Sequence, residues 1–171
     1  VTAYVSNTTI SENNIYRAVT SAPYPLSMQG LAEGSTVTWS SSDDKIAKVS
    51  DDGVVTPVSV GDVTITATEE KLSGAKVQYT CTVHITNPVL SKTSVELAKD
   101  TTMDIFVSGT KGQANWTSDN PDIAMVSIYY SSNGINAVLR GVNEGSTVIH
   151  AYVDGIELKC IVTITNPHII R

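Results

Sequence analysis

The feature that most constrains this chain is a phrase written twice. "VTWSSSDDKIAKVSDDG" at residues 37–53 returns as "ANWTSDNPDIAMVS" at residues 114–127, and Trp39, Ile46, Ala47 and Val49 map onto Trp116, Ile123, Ala124 and Val126 at a constant offset of 77. "GDVTITA" from Gly61 then answers "GSTVIHA" from Gly145 at an offset of 84, so the second copy holds seven more residues between these landmarks. "CTVHITNP" from Cys81 answers "CIVTITNP" from Cys160 at 79, which leaves the first copy five residues longer in the preceding hairpin. A chain of 171 residues with two such copies reads as two small domains, 1–87 and 88–171. Pro88, which cannot donate to a sheet ladder, ends the last strand of the first and makes the linker short and stiff.

Inside each copy the hydrophobic period is two. Cys81, Val83 and Ile85 face one way and Thr82, His84 and Thr86 the other; Cys160, Val162 and Ile164 repeat the pattern. Turn signals separate the strands: "DDG" at 51–53, "VGD" at 60–62, "SNG" at 132–134 and "VDG" at 153–155. No segment sustains a helical period. Several short strands per copy, rich in Val and Thr, give an all-β chain and a sandwich architecture.

The succession Trp-Ser/Thr-Ser, an Asp/Asn-rich turn, Ile-Ala-x-Val, Gly-x-x-x-Ile and a final Cys-x-Val-x-Ile strand is similar to the bacterial immunoglobulin-like domain, group 2, over nearly the whole chain and twice. The resemblance implies two tandem immunoglobulin-like β-sandwiches. It is closer in the second copy, although Lys99-Asp100 stands where that family usually has a Gly; the first copy is longer before its Trp. The structural core expected is Trp39, Ile46, Val49, Cys81 and Val83 in one copy and Trp116, Ile123, Val126, Cys160 and Val162 in the other. Each Trp is expected between the sheets with its N–H on a backbone acceptor. The polar residues after it form the corner into the next strand.

Each copy has one cysteine, at the same place in its last strand. A disulfide needs Cα atoms within about 7 Å, and equivalent points of two stacked domains lie roughly 30 Å apart. Both are therefore expected as buried, unreactive thiols. His84, His150 and His168 lack metal-ligand spacing, and the first two stand where the other copy has Thr163 and Thr66, as solvent-face substitutions. No serine sits in a Gly-x-Ser-x-Gly turn and no glycine-rich phosphate loop is present. The reading is non-enzymatic, with no cofactor and no metal. Asp43, Asp44, Asp51, Asp52 and Asp62 crowd the first copy but lack the twelve-residue Ca²⁺ loop with its bidentate Glu.

A net charge of −6 argues against nucleic acid or an anionic bilayer as partner. No apolar run reaches the roughly 18 residues of a membrane span, so this segment is not expected to insert. Val1 reads as the start of an excised or mature segment, and "ITNPHIIR" repeats the exit signal of the first copy as if a further domain followed. The resemblance implies a stalk or adhesion segment of a secreted or surface-bound multidomain bacterial protein, located extracellularly. The alternatives are an accessory module that binds glycan or another partner for an extracellular enzyme, or a domain on a phage particle. Partners are then a host or cell-surface glycan or protein and further domains of the same chain. The candidate binding residues are Tyr129, Tyr130 and Asn133, in the hairpin that holds four of the extra residues and puts at least one tyrosine in solvent.

Overall fold

The computed structural model describes residues 7–131 and 134–166, and divides between Asn87 and Pro88 into two compact units. Among the described residues there is no helix. In the first unit a four-stranded sheet runs in the order Asn14–Ala18, Lys76–Thr86, Gly61–Glu70, Thr36–Ser41, and a three-stranded sheet in the order Tyr24–Pro25, Val54–Pro57, Ala47–Val49. The second unit repeats this with Ser94–Ala98, Ile156–Thr165, Gly145–Val153 and Asn115–Ser118 in one sheet. Thr102–Ile105, Gly134–Gly141 and Ala124–Ser131 form the other. The chain is all-β and immunoglobulin-like.

In each unit the first long strand lies parallel to the last, Ile15 opposite Val83 and Val95 opposite Val162, while every other pairing is antiparallel. Period two decides what is buried. Ile65, Cys81, Val83 and Val55 fill the first core; Ile149, Cys160, Val162 and Leu139 fill the second. Ile46, Val49, Ile123 and Val126 pack against these cores from a half-buried position.

The repeated phrase builds a corner. Ser41 Oγ donates to the Ala47 carbonyl at 2.6 Å and Ser118 Oγ to that of Ala124 at 2.7 Å. Asp43 Oδ1 accepts from Lys45 N–H and Asn120 Oδ1 from Asp122 N–H, the same Asx turn with either side chain. The Ile46 carbonyl then accepts from Val58 N–H, and that of Ile123 from Val142 N–H. A Cβ on Gly61 would sit 2.9 Å from Ile46 Cδ1, and one on Gly145 3.0 Å from Ile123 Cδ1, so glycine begins the following strand in both units. The Lys99-Asp100 departure resolves in the same way. Asp100 has φ +62°, the left-handed conformation that Gly adopts freely and Asp tolerates.

The tryptophans correct one expectation. Both tryptophans are half-buried, on the edge strands Thr36–Ser41 and Asn115–Ser118. Trp116 Nε1 is buried with no hydrogen-bond partner instead of reaching a backbone acceptor. Trp39 lies under the "DDG" turn: Gly53, at φ +82°, approaches so closely that a Cβ there would fall 2.7 Å from the ring. In the second unit the extra residues lengthen the corresponding strands to Ala124–Ser131 and Gly134–Gly141.

Candidate functional site

Of the three binding residues suggested by the sequence, Asn133 lies outside the described residues, as does the side chain of Tyr130. Tyr129 is on a strand, paired with Asn136 and half-buried on the outer face of the three-stranded sheet. Burial and the neighbouring Asp104, to which its hydroxyl is hydrogen-bonded, raise its pKa. It is therefore pinned across the sheet and does not stand out from a loop tip. Its neighbour Ile128 is 49% exposed.

Both cysteines are free and buried. Burial pushes the Cys81 thiol up to about 11 and also raises that of Cys160, so neither supplies a thiolate nucleophile near neutral pH. Among the described residues no group of three His, Cys, Asp or Glu side chains is arranged to hold a metal ion. Asp43 caps the corner turn and Asp62 pairs with His84 at 2.7 Å, which disperses the acidic cluster of the first copy.

The histidines are more than solvent-face substitutions. His84 does lie on the outer face of its sheet, but its ring stacks on Tyr16 at 4.5 Å and its nitrogens face Asp62 and Asn14. His150 is 9% exposed, a correction to the exposure its strand position implied. Its neighbours on the outer face cover it. Nδ1 lies 2.7 Å from Glu157 Oε1, and Nε2 2.9 Å from Asp119 Oδ1. Tyr152 lies parallel to the imidazole with centroids 6.1 Å apart, and its hydroxyl bonds Glu157. Glu157 also meets Lys159 Nζ at 3.0 Å. The Tyr152 bond, then those of Lys159 and His150, hold its carboxyl down to about 2 against the opposing effect of burial.

Tyr152 and Glu157 help line a shallow groove of about 590 Å³ with Gln113, Asn115 and the turn at Val153–Ile156. Sequence reasoning missed this site. The signal was available in the comparison of outward positions: Thr38, Thr66, Thr68 and Gln78 of the first copy become Asn115, His150, Tyr152 and Glu157 in the second.

Residues 4–81 match the family of the bacterial Ig-like domain (group 2). That match falls on the first copy, whereas the residues alone had placed the closer resemblance in the second. The chain is 30% identical over 148 residues to an uncharacterized protein of Clostridium acetobutylicum, covering 79% of this chain and 14% of that one. It is 52% identical over 56 residues to an alpha-L-arabinofuranosidase of Bifidobacterium longum subsp. longum, covering 33% of this chain and 5% of the enzyme. The chain thus spans a small part of the length of the curated relatives it matches. A C-terminal 282-residue fragment of intimin, solved in complex with the intimin-binding domain of its translocated receptor, shares the fold. Its TM-score is 0.50 and its identity 15%, over 94% of this chain and 63% of the fragment. The likeness to the bacterial Ig-like domain (group 2) thus lies in the first unit, over residues 4–81.

Proposed function

We propose that the chain is a non-catalytic spacer in a multidomain protein of the bacterial surface or exterior, built to stay folded under tension between the domains it joins. One observation carries the reading: in each unit the first long strand is paired in parallel with the last. Asn14–Ala18 runs beside Thr82–Thr86 and Ser94–Ala98 beside Ile161–Thr165. The ladders are closed at their ends by Thr82 N–H to Asn13 O and Val19 N–H to Thr86 O, and by Ile161 N–H to Thr93 O and Lys99 N–H to Thr165 O. Tension applied through the two ends of a unit loads such a ladder in shear. Its bonds must then break together, whereas an antiparallel hairpin unzips one bond at a time. The residues the copies share serve cores and corners, which suits a spacer that needs only to fold and hold.

Pulling the chain by its ends in optical tweezers tests this. Two separate unfolding steps are expected, each releasing the contour of about 85 residues, roughly 300 Å. Each should need more force than unfolding of the same unit through handles placed on the Leu72 turn and its neighbouring strand. Unfolding at equal or lower force through the ends contradicts the reading.

A second reading is favoured by the stretch shared with the arabinofuranosidase: a module carried beside an extracellular carbohydrate-active enzyme. Attachment of the same segment to a catalytic domain in its parent protein would support it.

A further inference from the structure

The outer faces of the two four-stranded sheets are built in the same register and carry different chemistry. One row reads Thr38, Thr68, Gln78 in the first unit and Asn115, Tyr152, Glu157 in the second. The next reads Ser40, Thr66, Thr80 in the first and Thr117, His150, Lys159 in the second. The first face is mostly short hydroxyls, the ordinary covering of a solvated sheet. The second places an aromatic ring on a polar support. Because the cores beneath are alike, packing does not require this difference.

Tyr152 is 45% exposed and yet held from two directions, by Glu157 at its hydroxyl and by the parallel ring of His150. His150 is in turn fixed between Asp119 and Glu157. An exposed ring normally loses rotamer freedom when it binds something; this one has already lost it, which lowers the cost of association. Beside it Gln113 and Asn115 are exposed, and neither side chain makes a hydrogen bond to another described residue. The Glu157 carboxylate on its wall is engaged by Lys159, His150 and Tyr152, Asp154 is the other carboxylate lining it, and no Lys or Arg does.

These features select a ligand class. A polyanion finds no cation in the groove and meets a chain of net charge −6. A wholly apolar ligand would strand the amides without partners. A neutral sugar has an apolar C–H face for the ring and a rim of hydroxyls for amides that both donate and accept. We propose that the groove between Asn115 and Tyr152 on the second unit is a binding site for a neutral glycan, with Tyr152 as the platform, Gln113 and Asn115 as the polar contacts, and His150 and Glu157 as positioning residues. The spacer reading needs no such site, and its force test is independent of this one.

The test is a titration of the isotope-labelled whole chain, followed by amide spectra, with neutral hexasaccharides of glucose, xylose, mannose and arabinose, and an oligogalacturonate as the anionic control. At least one neutral sugar should give saturable shifts confined to residues 113–117 and 150–157, with a Kd of about 1 mM or tighter, and the control should give none. Tyr152→Ala should weaken binding at least about tenfold, and Tyr152→Phe should retain most of it because the ring remains. If Tyr152→Ala disturbs the fold, Asn115→Ala carries the same expectation from the exposed edge strand. The proposal is overturned by absence of saturable shifts with every neutral sugar up to about 10 mM. Shifts that map to the Tyr129 hairpin or the first unit also overturn it, as does unchanged binding by a folded Tyr152→Ala.

Discussion

In the first unit the loop before the Trp strand is held by Glu69, a fully buried carboxylate on the Gly61–Glu70 strand. Its Oε1 accepts from Ala32 N–H at 3.0 Å and Ser35 Oγ at 2.9 Å. In the second unit the position corresponding to Glu69 is Val153, an apolar core residue, and the loop is held from one residue further on. Asp154, in the turn with φ +48°, accepts from Thr110 Oγ1, which accepts in turn from Gly112 N–H. A Cβ on Gly112 would lie 2.1 Å from Asp154 Oδ1, so a side chain there would push the carboxylate aside. Two solutions to one problem show which requirement is general. The backbone N–H and hydroxyl groups of this loop need an acceptor, and the neighbouring hairpin supplies it from whichever residue can reach.

The largest expected effect falls on the tryptophans, where the units differ most in surroundings. Trp39→Ala should destabilise the first unit by about 3–5 kcal/mol. Trp116→Ala should cost the second unit less, because it also removes a buried N–H that has no partner. Urea unfolding followed by unit-resolved amide signals measures both; equal costs would erase the distinction drawn between the two corners.

Next is Gly53→Ala, which forces a side chain into φ +82° and against Trp39 and the Leu26 carbonyl. A loss of about 2–4 kcal/mol in the first unit alone is expected. A neutral result would mean that the "DDG" turn does not bear on the ring.

A smaller effect separates the units by their acidic groups. Bonds from Ala32 and Ser35 hold Glu69 below the ordinary carboxylate value, so its contribution to stability is complete above its unfolded pKa and is lost as pH falls through the lowered folded one. Glu157 acts with the same sign in the second unit, complete above about 4.5 and lost on descent towards about 2. Glu69→Gln should therefore lower neutral-pH stability and flatten the acid dependence of the first unit only, and Glu157→Gln that of the second only. Acid titration of each variant checks the assignment; a change in the other unit contradicts it.

The smallest difference concerns the thiols, which should behave alike. With Cys81 raised to about 11 and Cys160 also raised, native labelling by a thiol reagent should be slow at both and become fast only in denaturant. Rapid labelling of one alone would show that its sandwich opens more readily.

What the sequence revealed and what it concealed divide by distance along the chain. The corner was legible because its bonds are local: Ser41 reaches Ala47 six residues on, and Asp43 reaches Lys45 two residues on, and the phrase is written twice. The core was legible because alternation in "CTVHIT" and "CIVTIT" leaves one face apolar. Glu69 was not, since its partners lie 34 and 37 residues away. The clamp on His150 was hidden for the same reason, with Asp119 31 residues distant. The anchor of Tyr129 was hidden likewise, since Asp104 lies on the separate strand Thr102–Ile105.

Each copy of the repeated phrase completes its own sandwich. Dividing the chain between Asn87 and Pro88 and recording amide spectra of the two halves beside that of the whole tests it most directly. Each half is expected to fold alone, with signals that overlay those of the same residues in the intact chain, apart from those next to the cut. A half that is unfolded by itself, or whose core signals shift throughout, would contradict it.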